Sequence, residues 1–110
     1  YPVSWPARAE EPAGKTSPEE LIAAAHSACF SMALSNGLAK AGTPATRLKT
    51  TAEVDFQPGT GITGIRLNVV GDVPGLDAEG FAAAAEDAKV NCPVSQALRA
   101  VPISLTVGPA

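Results

Sequence analysis

The chain has 110 residues, enough for one compact domain spanning 1–110 and too few for two. Apolar residues make up 45% and aromatics only 5%, so the core must be built from Ala, Val, Leu and Ile. A net charge of −3 with no basic cluster gives no electrostatic reason to bind nucleic acid. No unbroken run of about 18 apolar residues occurs, so no membrane span is expected. Tyr1 is not followed by a charged and then apolar leader, so no signal peptide is expected and the start reads as a trimmed N-terminus.

Residues 1–17 carry Pro2, Pro6, Pro12 and Gly14 without periodicity and read as an extended arm or loop. At Ser17-Pro18-Glu19-Glu20 the character changes. Ser17 is an N-cap, Pro18 suits the first helical position, and Glu20 completes a capping box. Leu21, Ile22, Ala25, Ala28, Cys29 and Met32 then recur at helical spacing as the expected apolar stripe. Gly42 and Pro44 stop this helix, predicted over 18–41, and its length of about 35 Å is large for the domain.

A hairpin is predicted over 46–73. Leu48, Thr50, Ala52, Val54 and Phe56 alternate with Arg47, Lys49, Thr51, Glu53 and Asp55, a half-buried strand. Residues 57–61 make the turn, and Ile65, Leu67, Val69 and Val73 mark the return strand. Asp77 caps a second helical region over 78–99, with Leu76 and Phe81 at the spacing of a hydrophobic staple. Pro93 kinks or restarts that region at Asn91-Cys92-Pro93. A last strand covers 101–107. Two helices on three strands make a thin α+β domain. One helix cannot cover everything, so missing N-terminal chain and a second subunit are both expected to complete it.

Two cysteines, Cys29 and Cys92, could carry chemistry. Cys29 sits mid-helix among apolar residues, where a free thiol is commonly a small packed hydrophobe that burial keeps protonated. A reactive Cys29 therefore needs a cation nearby. Cys92 precedes a helical turn whose N-terminus would favour a thiolate; a packed small residue is the alternative reading, and a structural disulfide a third. Arg8 by itself is a solvated loop charge. Glu19 by itself is a first-turn carboxylate worth a few tenths of a kcal/mol. His26, the one histidine, precedes Cys29 by three residues. Structural zinc takes four ligands, so two cysteines and a histidine fall short, and no metal site is expected. A Cys–His hydrolase dyad lacks a glycine-rich oxyanion loop.

The run from Ser17 to Ser35, with Glu19-Glu20-Leu21-Ile22 and His26-Ser27-Ala28-Cys29-Phe30, resembles the first helix of the OsmC/Ohr family, in its OsmC branch. Asn91-Cys92-Pro93-Val94-Ser95-Gln96-Ala97-Leu98 resembles that family's second cysteine motif, and residues 50–54 and 73–77 also match. The resemblance implies a long central helix and a second helix packed on an antiparallel sheet. It also implies a tightly intertwined homodimer, with a β-rich N-terminal segment expected to be largely missing here. It implies a cytoplasmic, thiol-dependent peroxidase acting on organic hydroperoxides and more weakly on hydrogen peroxide. Cys29 would be the peroxidatic cysteine, Cys92 the resolving one, and Arg8 and Glu19 the family's arginine and glutamate. A sulfenic acid on Cys29 and then a Cys29–Cys92 disulfide would form. An external dithiol of the dihydrolipoamide type would reopen it, with no bound cofactor. An alkyl tail would lie along the helix face around Phe30 and Met32.

Glu19 and Cys29 lie ten residues apart on one helix, about 15 Å along its axis. They cannot share a site within one straight helix, so Glu19 is expected to reach the partner subunit's cysteines, with two sites at the dimer interface. The competing readings are a non-catalytic dimeric domain with structural cysteines and a redox sensor that passes its disulfide on.

Overall fold

The structure, a computed structural model, describes residues 1–9 and 14–109; Pro12 of the arm lies outside them. Seven elements follow one another: α1 (Trp5–Ala9), α2 (Pro18–Lys40), β1 (Arg47–Gln57), β2 (Gly61–Asp72), α3 (Ala78–Asn91), α4 (Pro93–Ala97) and β3 (Ile103–Pro109). The arm is therefore not all loop. Ser4 Oγ accepts from the Ala7 amide, and Pro6 sits in the first turn of α1, the same Ser–Pro logic that starts α2. Val3 forms a lone bridge to Thr16, which folds the arm back toward the start of α2.

α2 begins as its sequence directs. Ser17 Oγ accepts from the Glu20 amide at 3.2 Å, while the Glu20 carboxylate turns to the Ser17 and Thr16 hydroxyls. Asp77 caps α3 through the Gly80 amide at 2.7 Å. Leu76 and Phe81 both join the core, as the staple spacing requires. Pro93 splits the second helical region into α3 and α4, with Cys92 at the junction.

β1 and β2 form an antiparallel hairpin with a bulge at Asp55/Phe56. β3 then pairs with β2 in parallel, so the three-stranded sheet, ordered β1-β2-β3, is mixed rather than antiparallel. The reason is the connection: residues 73–102 cross the sheet as α3 and α4, and a helical crossover returns the chain in its original direction. The domain is a slab of 46 × 28 × 19 Å.

The core is formed by Phe30, Leu34 and Leu38 of α2, Leu67 and Val69 of β2, and Phe81, Ala85 and Ala88 of α3. Each large side chain here contributes about 1.5–3 kcal/mol. The stripe expected to face inward on α2 is instead largely bare. Leu21, Ala25, Ala28 and Met32 are exposed, Met32 to 72%, while His26, Phe30, Leu34 and Leu38 are buried. α2 is long and apolar enough, by length and composition, to cross a membrane. In this fold its inner face packs on the sheet and its other face is left apolar and uncovered.

Gly71 on β2 is the tightest point of this packing. A Cβ there would stand 2.5 Å from the Phe81 ring and 2.9 Å from Leu48. Gly71→Ala is expected to force Phe81 out of place and cost about 1–3 kcal/mol. By comparison, Gly64 of the same strand has its nearest side-chain atom at 3.5 Å, and Gly64→Ala should unfold near the wild-type temperature. Parallel thermal melts of the two variants check this.

Candidate active site

The Pro93 break places the Cys92 sulfur against α2. Cys92 Sγ and Cys29 Sγ lie 2.8 Å apart, joining residues 63 positions apart, and both are free thiols. Cys92 is fully buried and Cys29 partly so. Burial pushes the Cys29 thiol up from its ordinary value, and its hydrogen bond to Cys92 adds to that, against a smaller opposing pull from the Val94 amide. Burial also acts to raise Cys92, but there it is outweighed. Donation from Cys29, the amide and hydroxyl of Ser95 and the amide of Val94 bring Cys92 down overall. Cys92 Sγ makes no cap bond at the start of α4, so the Val94 and Ser95 groups act on it as nearby dipoles. The sulfur–sulfur distance alone allows either thiol to donate. The groups around Cys92 make it the easier of the two thiols to ionise.

Among the described residues no hydrogen bond or ion pair joins a cation to Cys29. Arg8 is engaged elsewhere, with Nε and Nη2 donating to both carboxylate oxygens of Glu19 at 2.7 and 2.9 Å. This is the fork-shaped pair expected between these two residues. The Glu19 side chain is only 6% exposed, and the Arg8 guanidinium lies 4.6 Å from the Phe56 ring centroid and 5.5 Å from that of Trp5. Trp5 and Phe56 meet edge to face at 5.9 Å. The hydrogen bond from Arg8 holds the Glu19 carboxyl below its usual range, against the effect of burial. α2 is unbroken from Pro18 to Lys40, so Glu19 and Cys29 stay about 15 Å apart along it. Among the described residues no hydrogen bond or ion pair joins Arg8 or Glu19 to either sulfur. The four expected site residues therefore form two separate pairs.

Phe30, expected beside an alkyl tail, is fully buried in the core and cannot line a substrate path; Met32 is exposed. A pair that was not expected lies behind the sulfurs. His26 Nε2 is 2.7 Å from Ser95 Oγ, both buried, and His26 Nδ1 has no partner. Burial lowers the His26 pKa, so the ring is neutral. A sequence signal for the pair exists, since His26 precedes Cys29 by three residues and Ser95 follows Cys92 by three. Each is therefore one helical turn from a sulfur. Among the described residues no three His, Cys, Asp or Glu side chains are grouped to hold a metal ion.

Comparison with known proteins places this geometry. Residues 11–106 match the family described as OsmC-like protein. The chain is 51% identical over 88 residues to peroxiredoxin OsmC of Escherichia coli, across 77% of this chain and 62% of that protein. It thus spans less than two thirds of that relative. An organic hydroperoxide resistance protein OsmC from Legionella pneumophila aligns with a TM-score of 0.75 at 30% identity, over 86% of this chain and 71% of that one. The organic hydroperoxide resistance protein OhrB of Bacillus subtilis aligns with a TM-score of 0.74 at 27% identity, with the same coverages. The chain belongs to the OsmC family. Arg8 lies before the matched residues, so its place in the site rests on its bond to Glu19.

The Arg8–Glu19 pair predicts a pH effect. A carboxyl held low in the fold adds stability above its unfolded pKa, and that stability is lost as pH falls through the folded value. Glu19→Gln is expected to melt at a lower temperature at neutral pH. Its melting temperature should also decline less than that of the wild type on the acid side, measured from pH 7 to 3.

Proposed function

We infer that this chain is a thiol peroxidase that reduces organic hydroperoxides, and hydrogen peroxide more weakly, through its own two cysteines. The observation that carries this reading is the 2.8 Å approach of two free thiols in a family whose members include a peroxiredoxin and organic hydroperoxide resistance proteins.

The Cys29 thiolate attacks the distal oxygen of the hydroperoxide. The O–O bond breaks, the alkoxide leaves and takes a proton, and Cys29 becomes a sulfenic acid. The Cys92 thiolate then attacks the Cys29 sulfur. The S–S bond forms, the S–O bond breaks, and hydroxide leaves to be protonated to water. An external dithiol of the dihydrolipoamide type reduces the disulfide by thiol exchange. The cycle as written uses no bound cofactor. It belongs in the cytoplasm, where thiols are kept reduced between turnovers.

The first step needs a thiolate on Cys29, which burial opposes. A homodimer supplies the missing charge. The bare apolar face of α2, with Leu21, Ala25, Ala28 and Met32, suits a second copy of the chain, because small side chains permit close helix approach. Pairing through that face would bring the partner's Arg8, held in its Glu19 fork, toward Cys29. The guanidinium would stabilise the thiolate and orient the peroxide. Met32 would meet the alkyl tail.

Two measurements test this. In a hydroperoxide-consumption assay with dithiol, Cys29→Ser should fall to background. Cys92→Ser should consume one equivalent, retain a trappable sulfenic acid and stop. The subunit arrangement is tested by mixing two inactive variants, Cys29→Ser and Arg8→Ala. If Arg8 acts across the interface, random re-pairing restores about a quarter of wild-type activity. If it acts within its own chain, the mixture stays inactive.

A further inference from the structure

Behind the cysteine pair, His26 and Ser95 form a buried contact that the peroxidase cycle does not use. His26 is on α2, three residues before Cys29, and Ser95 is on α4, three residues after Cys92. Their 2.7 Å contact is therefore a polar clamp between the two segments that carry the sulfurs. Both residues are buried and the surrounding core is apolar, so leaving this bond unmade would strand buried polar groups. The ring's protonation follows from what its partner must do. Ser95 has a single hydroxyl proton. If His26 Nε2–H donates to Ser95 Oγ, that proton is free to point toward Cys92. If Ser95 instead donates to a bare Nε2, Cys92 loses a donor and His26 is left with a buried Nδ1–H and no acceptor.

We propose that His26 is a positioning residue for the second chemical step: by donating to Ser95 it directs the Ser95 hydroxyl at Cys92 and locks the Cys92 sulfur against Cys29. The role rests on the peroxidase reading for its step, but not for its effect on Cys92. It does not touch the peroxide, and so it leaves the attack by Cys29 alone. It acts when the Cys92 thiolate must strike the Cys29 sulfenic acid, forming the S–S bond and expelling hydroxide.

Three variants separate this role from simple packing. His26→Leu removes the donor, Ser95→Ala removes the relay, and His26→Gln keeps an N–H at a similar reach. With one equivalent of cumene hydroperoxide in rapid-mixing experiments, sulfenic acid formation on Cys29 should stay within about twofold of wild type in all three. Disulfide closure should slow by about tenfold to a hundredfold in His26→Leu and Ser95→Ala. It should slow no further in the double variant, and it should largely recover in His26→Gln. Closure at the wild-type rate in His26→Leu and Ser95→Ala overturns the proposal. So does equal slowing of both steps, or of His26→Gln along with the others.

If the wild type consumes no hydroperoxide, the peroxidase reading fails, yet the clamp can still be read from Cys92 itself. In a Cys29→Ser background, thiolate absorbance near 240 nm reports that one sulfur. The groups around it are His26 on α2 and Ser95 on α4, with Lys89 of α3 (paired to Glu86) and Arg99 lining the cleft beside Ser95. Ser95→Ala and His26→Leu should raise the titration midpoint by about one pH unit while His26→Gln does not. An unchanged midpoint in Ser95→Ala overturns the proposal.

Discussion

The contact between two sulfurs across 63 positions of chain sets the terms for everything else in this domain. It requires a break in the second helical segment, and Pro93 makes one by withholding the backbone N–H that would continue α3. It requires α2 to be straight and fixed, and Phe30, Leu34 and Leu38 fasten it to the sheet and α3. The same break exposes the Val94 and Ser95 amides to Cys92. One proline thus both delivers the sulfur and gives it its donors.

Those donors create an asymmetry that a single chain cannot resolve. Within it, Cys92 is the easier thiol to ionise and Cys29 the harder. A resolving cysteine ought to be ready as a thiolate, and the local dipoles supply that. In the proposed cycle Cys29 must also be a thiolate, and that would depend on a charge from outside the chain. The guanidinium that could provide it belongs to α1 and is held at the far end of α2, oriented by the Glu19 carboxylate and two aromatic rings. Such an Arg is not a solvated loop charge. Its fork geometry and its aromatic neighbours are those of a group held ready, and its separation from Cys29 makes a second copy the natural destination.

Sequence reading recovers the parts of this architecture that are governed by local chemistry. Ser17-Pro18 and Asp77 start helices because caps act within one turn, and the alternation of Leu48 to Phe56 marks a half-buried strand. What it misses depends on distant chain. The direction of β3 depends on the crossover, not on the alternation of Ile103, Leu105 and Val107. The inner face of α2 is hidden because that helix is apolar nearly all round, so Leu21-Ala25-Ala28-Met32 and His26-Phe30-Leu34-Leu38 are both acceptable stripes. The sheet selects the second. The site is legible as residues, but its division into a sulfur pair and a charge pair is not. His26 is overlooked because, considered as a ligand or a base, it has too few partners, and a role through Ser95 needs the fold to bring them together.

That ambiguity in α2 is itself informative. A helix with one apolar stripe needs one neighbour; a helix with two needs two. The sheet covers Phe30, Leu34 and Leu38, and the slab is only 19 Å through; among the described residues no second layer covers Met32. A lone chain would leave this face in water at a cost that grows with its apolar area. In the proposed dimer, pairing two such faces would remove that cost and bring each chain's Arg8–Glu19 fork toward the other chain's cysteines. Assembly and activation of Cys29 would then be one event.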